Sequence, residues 1–363
     1  MINEKICDWL MDNADAPIRY RVARELLKDE KTAKNIESEL FEHKEVQKWL
    51  VNLRNENPTG VWCYEHGCRD VCLENALPKL VQLGLHGGLK ELTDAAGFYF
   101  DRLKNEYSKE NYPNKYTLRL AENMFSLADI KDNITQKMTL DGLDMVYDFV
   151  KKGIYDIYLC PEERMKLTGV PKNWKNTEYF IKPEIFNEHG FSYPLIYDII
   201  GMFRLYDLKD PEIDKKITEI IAYISTDDFH NKISGGYGIL VEGNGKYHGM
   251  GWDPKYPGWF DPASYIERGG DRIGFGIPKL LYFAQSIVKY PIARKTKWFN
   301  DLLEYLEKYK TDNDTYIFPK DWLPEKSGYA VNGFHLSFGE NKRKKNWLEI
   351  ESTFYVQLLK QYN

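Results

Sequence analysis

Pro58-Thr59-Gly60-Val61-Trp62, leading into Leu77, Leu80, Leu83 and Gly84-Leu85, is one of several stretches where a Gly- and aromatic-rich loop runs into an apolar helical pattern. Glu188-His189-Gly190-Phe191-Ser192-Tyr193 runs into Ile196, Ile200, Phe203 and Leu205. Gly235-Gly236-Tyr237-Gly238 is followed, after a long insertion, by Ile277 through Phe283, and Asp314-Thr315-Tyr316-Ile317-Phe318 leads on to Trp347 through Leu359. A loop plus helix recurring along a chain marks a repeat architecture, in which each unit buries its apolar face only against its neighbours. The pattern predicts an all-α fold of antiparallel helices. No Pro/Ser-rich linker or composition shift divides the chain, so residues 1–363 are expected to form one domain.

Outward from these phrases the helical period continues. Asp15-Ala16-Pro17 offers an N-cap type before a helix-starting proline, and Ile18, Val22, Leu26 and Leu27 follow at helical spacing. Further helices are predicted over Glu37 to Leu53, Cys72 to Leu85, Leu89 to Leu103, Tyr116 to Ile130 and Leu140 to Lys152. Strand signals are sparse. The best hairpin is Gly236 to Lys246, with Gly243-Asn244-Gly245 as its turn. Ser234 to Asp271 is the longest stretch without helical period, and it is rich in aromatics, which argues against disorder and for a structured functional loop.

Composition narrows the classes. An apolar fraction of 43% supplies a large core, and a net charge of −5 recommends no nucleic-acid partner. The basic run Lys342-Arg343-Lys344-Lys345 reads as a solvated loop beside acids. No segment approaches a membrane span, and Met1-Ile2-Asn3-Glu4-Lys5 starts no signal-type pattern, so a cytoplasmic protein is expected. Five cysteines cannot all pair, and a chain of this size needs no disulfide, so free thiols are expected.

The repeat rhythm, together with Asp15-Ala16-Pro17-Ile18-Arg19-Tyr20-Arg21, Gly60-Val61-Trp62 and the closing stretch from Gly328-Tyr329 through Gly333-Phe334-His335 to Trp347-Leu348-Glu349-Ile350-Glu351-Ser352-Thr353-Phe354, resembles the α/α-toroid superfamily. That superfamily includes squalene–hopene and other terpene cyclases and protein prenyltransferase β subunits. More narrowly, the chain is similar to bacterial proteins with repeats of that type. The resemblance implies inner and outer rings of helices around a central cavity, an antiparallel helical barrel. The signatures of those enzymes are not repeated here. Ser225-Thr226-Asp227-Asp228 lacks the first Asp of a cyclase Asp-Xaa-Asp-Asp motif, and its acids read as caps or solvent-facing charges. Asp70-Val71-Cys72 matches an Asp-Xaa-Cys zinc pair but lies near the N-terminus without the Gly-rich lead-in.

Three constellations remain. Cys63, His66, Cys68 and Cys72 have zinc-type side chains at a spacing that fits no standard zinc site, so no metal or other cofactor is expected. Trp347, Glu351 and Tyr355 share one face of the last helix, where ring-lined burial would raise the proton affinity of the carboxylate. The structural alternative is an ion pair from Arg19 or Arg21 to Glu351, locking the first helix to the last. Finally, the aromatic loop carries His248, Trp252, Asp253, Trp259, Asp261, Arg268 and Arg272. The expected catalytic residues are Glu351, His335, Asp253 and Asp261, and the expected ligand-binding residues are Trp62, Tyr237, His248, Trp252, Trp259, Arg272 and Trp347. An aromatic wall with a few convergent polar groups fits a small-molecule ligand. Two functions stay open: a lyase, cyclase or transferase acting on a small organic substrate, and a non-catalytic protein that holds a ligand or peptide.

Overall fold

The computed structural model describes residues 3–54, 65, 70–107, 115–130, 132–170, 175–176, 180–187, 190–191, 193–205, 209–233, 236–242, 246–252, 276–325 and 336–362. In chain order its helices are α1 (Glu4–Asn13), α2 (Ala16–Arg21), a π-helical turn (Val22–Leu26), α3 (Glu30–Glu42), α4 (Lys44–Leu53), α5 (Leu73–Gln82), α6 (Lys90–Tyr107), α7 (Lys115–Leu127), α8 (Asn133–Val150) and α9 (Pro161–Lys166). After two short strands, β1 (Phe186–Asn187) and β2 (Gly190–Phe191), come α10 (Ile196–Leu205), α11 (Pro211–Ile224) and α12 (Asp227–Lys232). The hairpin β3 (Gly236–Glu242) and β4 (Lys246–Trp252) precedes α13 (Gly276–Ile287), α14 (Pro291–Arg294), α15 (Lys297–Leu306) and α16 (Trp347–Lys360). The described chain is therefore mostly helical. Among the described residues no helix is long and apolar enough to cross a membrane.

Local chemistry starts these helices. Asp132 accepts from the backbone of Ile134 and Thr135 at the head of α8, and Asp210 caps α11 ahead of Pro211. Each satisfies N–H groups that the first helical turn leaves unpaired. The α8 cap moves that helix's start well before the expected Leu140. Two expectations need correction. The stretch Glu37 to Leu53 is not one helix, because His43 is extended (ψ 128°) and separates α3 from α4. The first helix does not run unbroken through Leu27, because α2 gives way at Val22 to the wider π turn. Its Leu27 N–H reaches back to the Val22 carbonyl.

Burial sorts the helices into two kinds. α3 buries only Ala33, Ile36 and Leu40, and α4 only Val46, Trp49, Leu50 and Leu53. These are stripes at helical spacing with a charged opposite face. By contrast, α5 is buried from Leu73 through Leu80 and again at Gln82, and α16 from Ile350 through Leu359. Each fully buried Leu of these helices stabilises by roughly 2 kcal/mol. With three more helices, these two form a succession: α5 packs on α7, α7 on α10, α10 on α13, α13 on α16, and α16 on the π turn. Arg21, just before that turn, returns to α5 by donating from Nη1 to the Gln82 carbonyl at 2.9 Å.

Close approach is paid for by glycine at two places. A Cβ on Gly201 would lie 2.0 Å from Asn123 Oδ1, so only glycine lets α10 meet α7 this closely. Gly84, at φ +103°, ends α5 in a conformation that suits glycine, with Leu85 N–H bonded to the Leu80 carbonyl.

Candidate functional site

The interior helices carry charge where packing alone asks for none. Lys79 sits in the apolar run of α5 with no exposure, and its Nζ donates to the Ser337 carbonyl at 2.7 Å and pairs with Glu325 at 3.1 Å. Glu351, also unexposed, rises from α16 toward the same segment. Its Oε1 accepts from Ser337 Oγ (2.9 Å) and from the backbone N–H of Phe338 (2.9 Å) and Glu340 (3.1 Å). Its Oε2 is buried with no hydrogen-bond partner among the described residues.

The two carboxyls respond in opposite directions. Burial pushes the Glu351 carboxyl up to about 7, against the pull of Lys79 and of the Ser337 and Glu340 hydrogen bonds. Burial also works to raise Glu325, but the Lys79 ammonium, with Lys342 and a Ser337 hydrogen bond, outweighs it and holds that carboxyl down at about 2. One buried lysine thus stands between a carboxylate that stays charged and a carboxyl that titrates near neutrality. This separation of proton affinities is what acid and base roles require.

The interior charge extends along the other buried helices. Arg119 of α7 grips Asp198 of α10 through Nε (2.7 Å) and Nη2 (2.5 Å), and Asp198 also accepts from Asn123 (3.1 Å) and from the Leu195 N–H (2.6 Å). Beside them Glu122 is raised well above the carboxylate range by burial, which Arg119 opposes and Asp198 reinforces. On α5, Glu74 accepts from Tyr197 Oη at 2.7 Å.

A second network fastens the chain's beginning to its end. Asp15 holds the N-cap position of α2, but its side chain makes no capping bond. It accepts instead from the Asn341 N–H at 2.8 Å and pairs with Lys344 at 2.8 Å, and its own N–H donates to Glu340. The run Lys342 to Lys345 is therefore not simply a solvated loop. Lys344 also pairs with Glu340 (3.1 Å), and Lys342 lies 5.9 Å from the Trp347 ring centroid. Burial raises Glu340 to about 7, even though the Asp15 N–H and Lys344 pull it down.

Of the residues expected at the site, Glu351 and Trp347 have described side chains. Glu351 is bonded to the 337–340 segment and not to an arginine: Arg19 pairs with Glu39, and Arg21 pairs with Glu25. Helix α2 does meet α16 through Arg21, whose guanidinium lies 5.2 Å from the Phe354 ring centroid. Trp347 is half-buried under Lys342. Tyr237, His248 and Trp252 lie on β3 and β4, paired with Gly251, Leu240 and Gly236. Trp62, Asp253, Trp259, Asp261, Arg268, Arg272 and His335 lie outside the described residues, as do Cys63, His66 and Cys68. Cys72 is buried at the N-cap of α5, and no group of three metal-type side chains occurs among the described residues. In Ser225 to Asp228, Thr226 caps α12 by accepting from the Phe229 N–H, and Asp228 pairs with Lys232 in solvent.

Lys79, Glu325, Arg119, Glu122 and Asp198 were not among the expected site residues. A signal existed: Lys79 and Asp198 are single charges inside otherwise apolar helical runs, Leu77-Pro78-Lys79-Leu80 and Tyr197-Asp198-Ile199-Ile200. A charge there must be paired or functional. No family model, curated protein or solved structure matches this chain.

Proposed function

We propose that the chain is an α/α toroid that acts as an enzyme on a small organic substrate, with Glu351 as its general acid and base. The toroid reading is supported by the succession of helices from α5 to α16 that returns through Arg21 to its start. One observation carries the catalytic reading. Glu351 keeps one oxygen without a hydrogen-bond partner among the described residues, titrates near 7, and feels the charge of a lysine with no exposure. Such a group gives and takes protons at neutral pH. Proton donation to an apolar substrate begins a cyclisation, and proton removal completes an elimination, so lyase, cyclase and transferase chemistry all suit it.

A second reading is a binding protein in which Glu351 serves the fold. It is favoured by the three hydrogen bonds that Oε1 receives from the 337–340 segment. Incubating wild type and Glu351→Gln with a small-molecule extract, read by mass spectrometry, separates the two. The glutamine keeps an acceptor for those donors and loses the titrating proton. A product made by wild type and reduced ~100-fold or more in the variant supports the enzyme. A ligand retained unchanged by both proteins supports the binder.

A further inference from the structure

Where the buried helices end, a cavity of about 400 Å³ opens among the π turn, the last turns of α5, α7, α13 and α16, and Ile200 of α10. It is separate from Glu351, which is not on its wall. Leu358 of α16, seven residues further on and roughly 10 Å along the axis, is. The Arg21 guanidinium, 5.5 Å from the Phe338 ring centroid and 5.2 Å from that of Phe354, stands between them.

Two backbone features converge on this wall. The π turn, a form rare outside functional sites, adds a residue to the coil and brings Arg21, Arg24, Glu25 and Lys28 to one side of the cavity. Lys28 itself adopts φ +57°, the left-handed conformation that glycine takes at low cost. Strain of this kind persists where a side chain is needed. Arg21 and Glu25 satisfy each other at 2.8 and 2.9 Å, whereas Arg24 and Lys28 have no ion pair among the described residues. Lys289, which also acts on Asp214, stands on the same wall, and Glu30 is the further carboxylate there. The simpler explanation, cations placed to complement carbonyl ends of helices, accounts for their sign but not for the strained turn that delivers Lys28.

The rest of the wall is mixed, with Pro78, Val81, Leu127, Ile200, Val288 and Leu358 as its apolar part and a few polar groups among them. Gln285 Nε2 donates to Gln82 Oε1 at 2.8 Å, and Gln82 Nε2 is taken by the Leu336 carbonyl at 3.2 Å and Gln285 Oε1 at 3.5 Å. Among the described residues the second Gln285 N–H therefore remains, with the Ser286 oxygen, whose proton goes to the Tyr282 carbonyl at 2.8 Å, as an acceptor. Tyr282 and Tyr362 supply flat apolar faces. The geometry points to a binding site for a hydroxyl-rich small molecule carrying an anionic group, a sugar acid or a sugar phosphate. Arg24 and Lys28 hold the anion, the second Gln285 N–H and the Ser286 oxygen hold hydroxyls, and a tyrosine stacks on the ring.

Calorimetric titration of the full chain with D-glucuronate, D-glucose 6-phosphate, D-glucose and spermidine tests this. One of the two anions should bind in the millimolar range or tighter, and which one does so distinguishes carboxylate from phosphate. Glucose should bind at least ~10-fold more weakly, and Arg24→Gln should weaken the anion by ~10-fold, as loss of a charge-assisted bond does. Lys28→Gly relieves the strained turn, so its melting temperature should hold or rise while its affinity falls. Absence of binding by both anions, equal binding of glucose, preferential binding of spermidine, or unchanged affinity in Arg24→Gln would each overturn the site. None of these outcomes bears on turnover at Glu351.

Discussion

Helices α4 and α5 are both ten residues long and are joined by a single connection, yet they solve opposite problems. α4 turns four apolar residues inward and leaves Glu45 and Lys48 to pair in solvent at 3.5 Å. α5 has almost no outside, and buries Glu74, Asn75, Lys79 and Gln82 with its leucines. An exposed pair adds little because water solvates both partners about as well. A buried charge is stable only while its partners are present, so polar groups in α5 exist for one another or for a ligand.

The largest test of this contrast is Lys79→Met, set beside Lys48→Met. Removing Lys79 leaves Glu325 and Glu351 without their shared cation, and chemical denaturation should show a loss of about 3–5 kcal/mol. Lys48→Met should change stability by less than about 0.5 kcal/mol. Equal effects would erase the distinction between the two helices.

The next effect is a pH dependence. Glu351 has a folded-state value of about 7 against an ordinary 4.5, so the folded protein holds its proton more tightly than the unfolded chain. Its contribution is complete below about 4.5 and is lost as pH rises through 7, with a ceiling of roughly 3 kcal/mol. Denaturation of wild type should show this fall across that window, and Glu351→Gln should flatten it to what Glu340 and Glu122, shifted the same way, leave behind. An unchanged slope in the variant would mean that Glu351 does not titrate there.

A smaller effect sharpens the packing side. Gly201→Ala drives a methyl into Asn123, which must abandon its 3.1 Å bond to Asp198. The cost should be about 1–3 kcal/mol. Adding Asn123→Ala should recover part of it in a double-mutant cycle, because the clash and the lost bond share one partner.

Much of the fold was legible because helix formation is local. The period over Leu77, Leu80 and Leu83, or over Ile196 and Ile200, repeats within a few residues, and α5 and α10 appear where that period lies. Breaks were harder to read. The break at His43 shows only as a phase shift, since Leu40 and Val46 are six residues apart and roughly 240° around a continuous helix. The candidate site was legible in part. Glu351 stood out as a carboxylate among rings, whereas Lys79 lay hidden in a run that looked like core.

The sequence alone determined that the chain is mostly helical, where most helices lie, and that an acid sits on the last of them, because periodicity and residue type are properties of neighbouring residues. Tertiary structure decided what that acid does. Lys79 reaches Ser337 across 258 positions, Asp15 meets Asn341 across 326, and Arg21 meets the Gln82 carbonyl across 61. Such partners are brought together by packing the whole succession of helices, and the proton affinity of Glu351 follows from burial and from a charge that no local pattern contains.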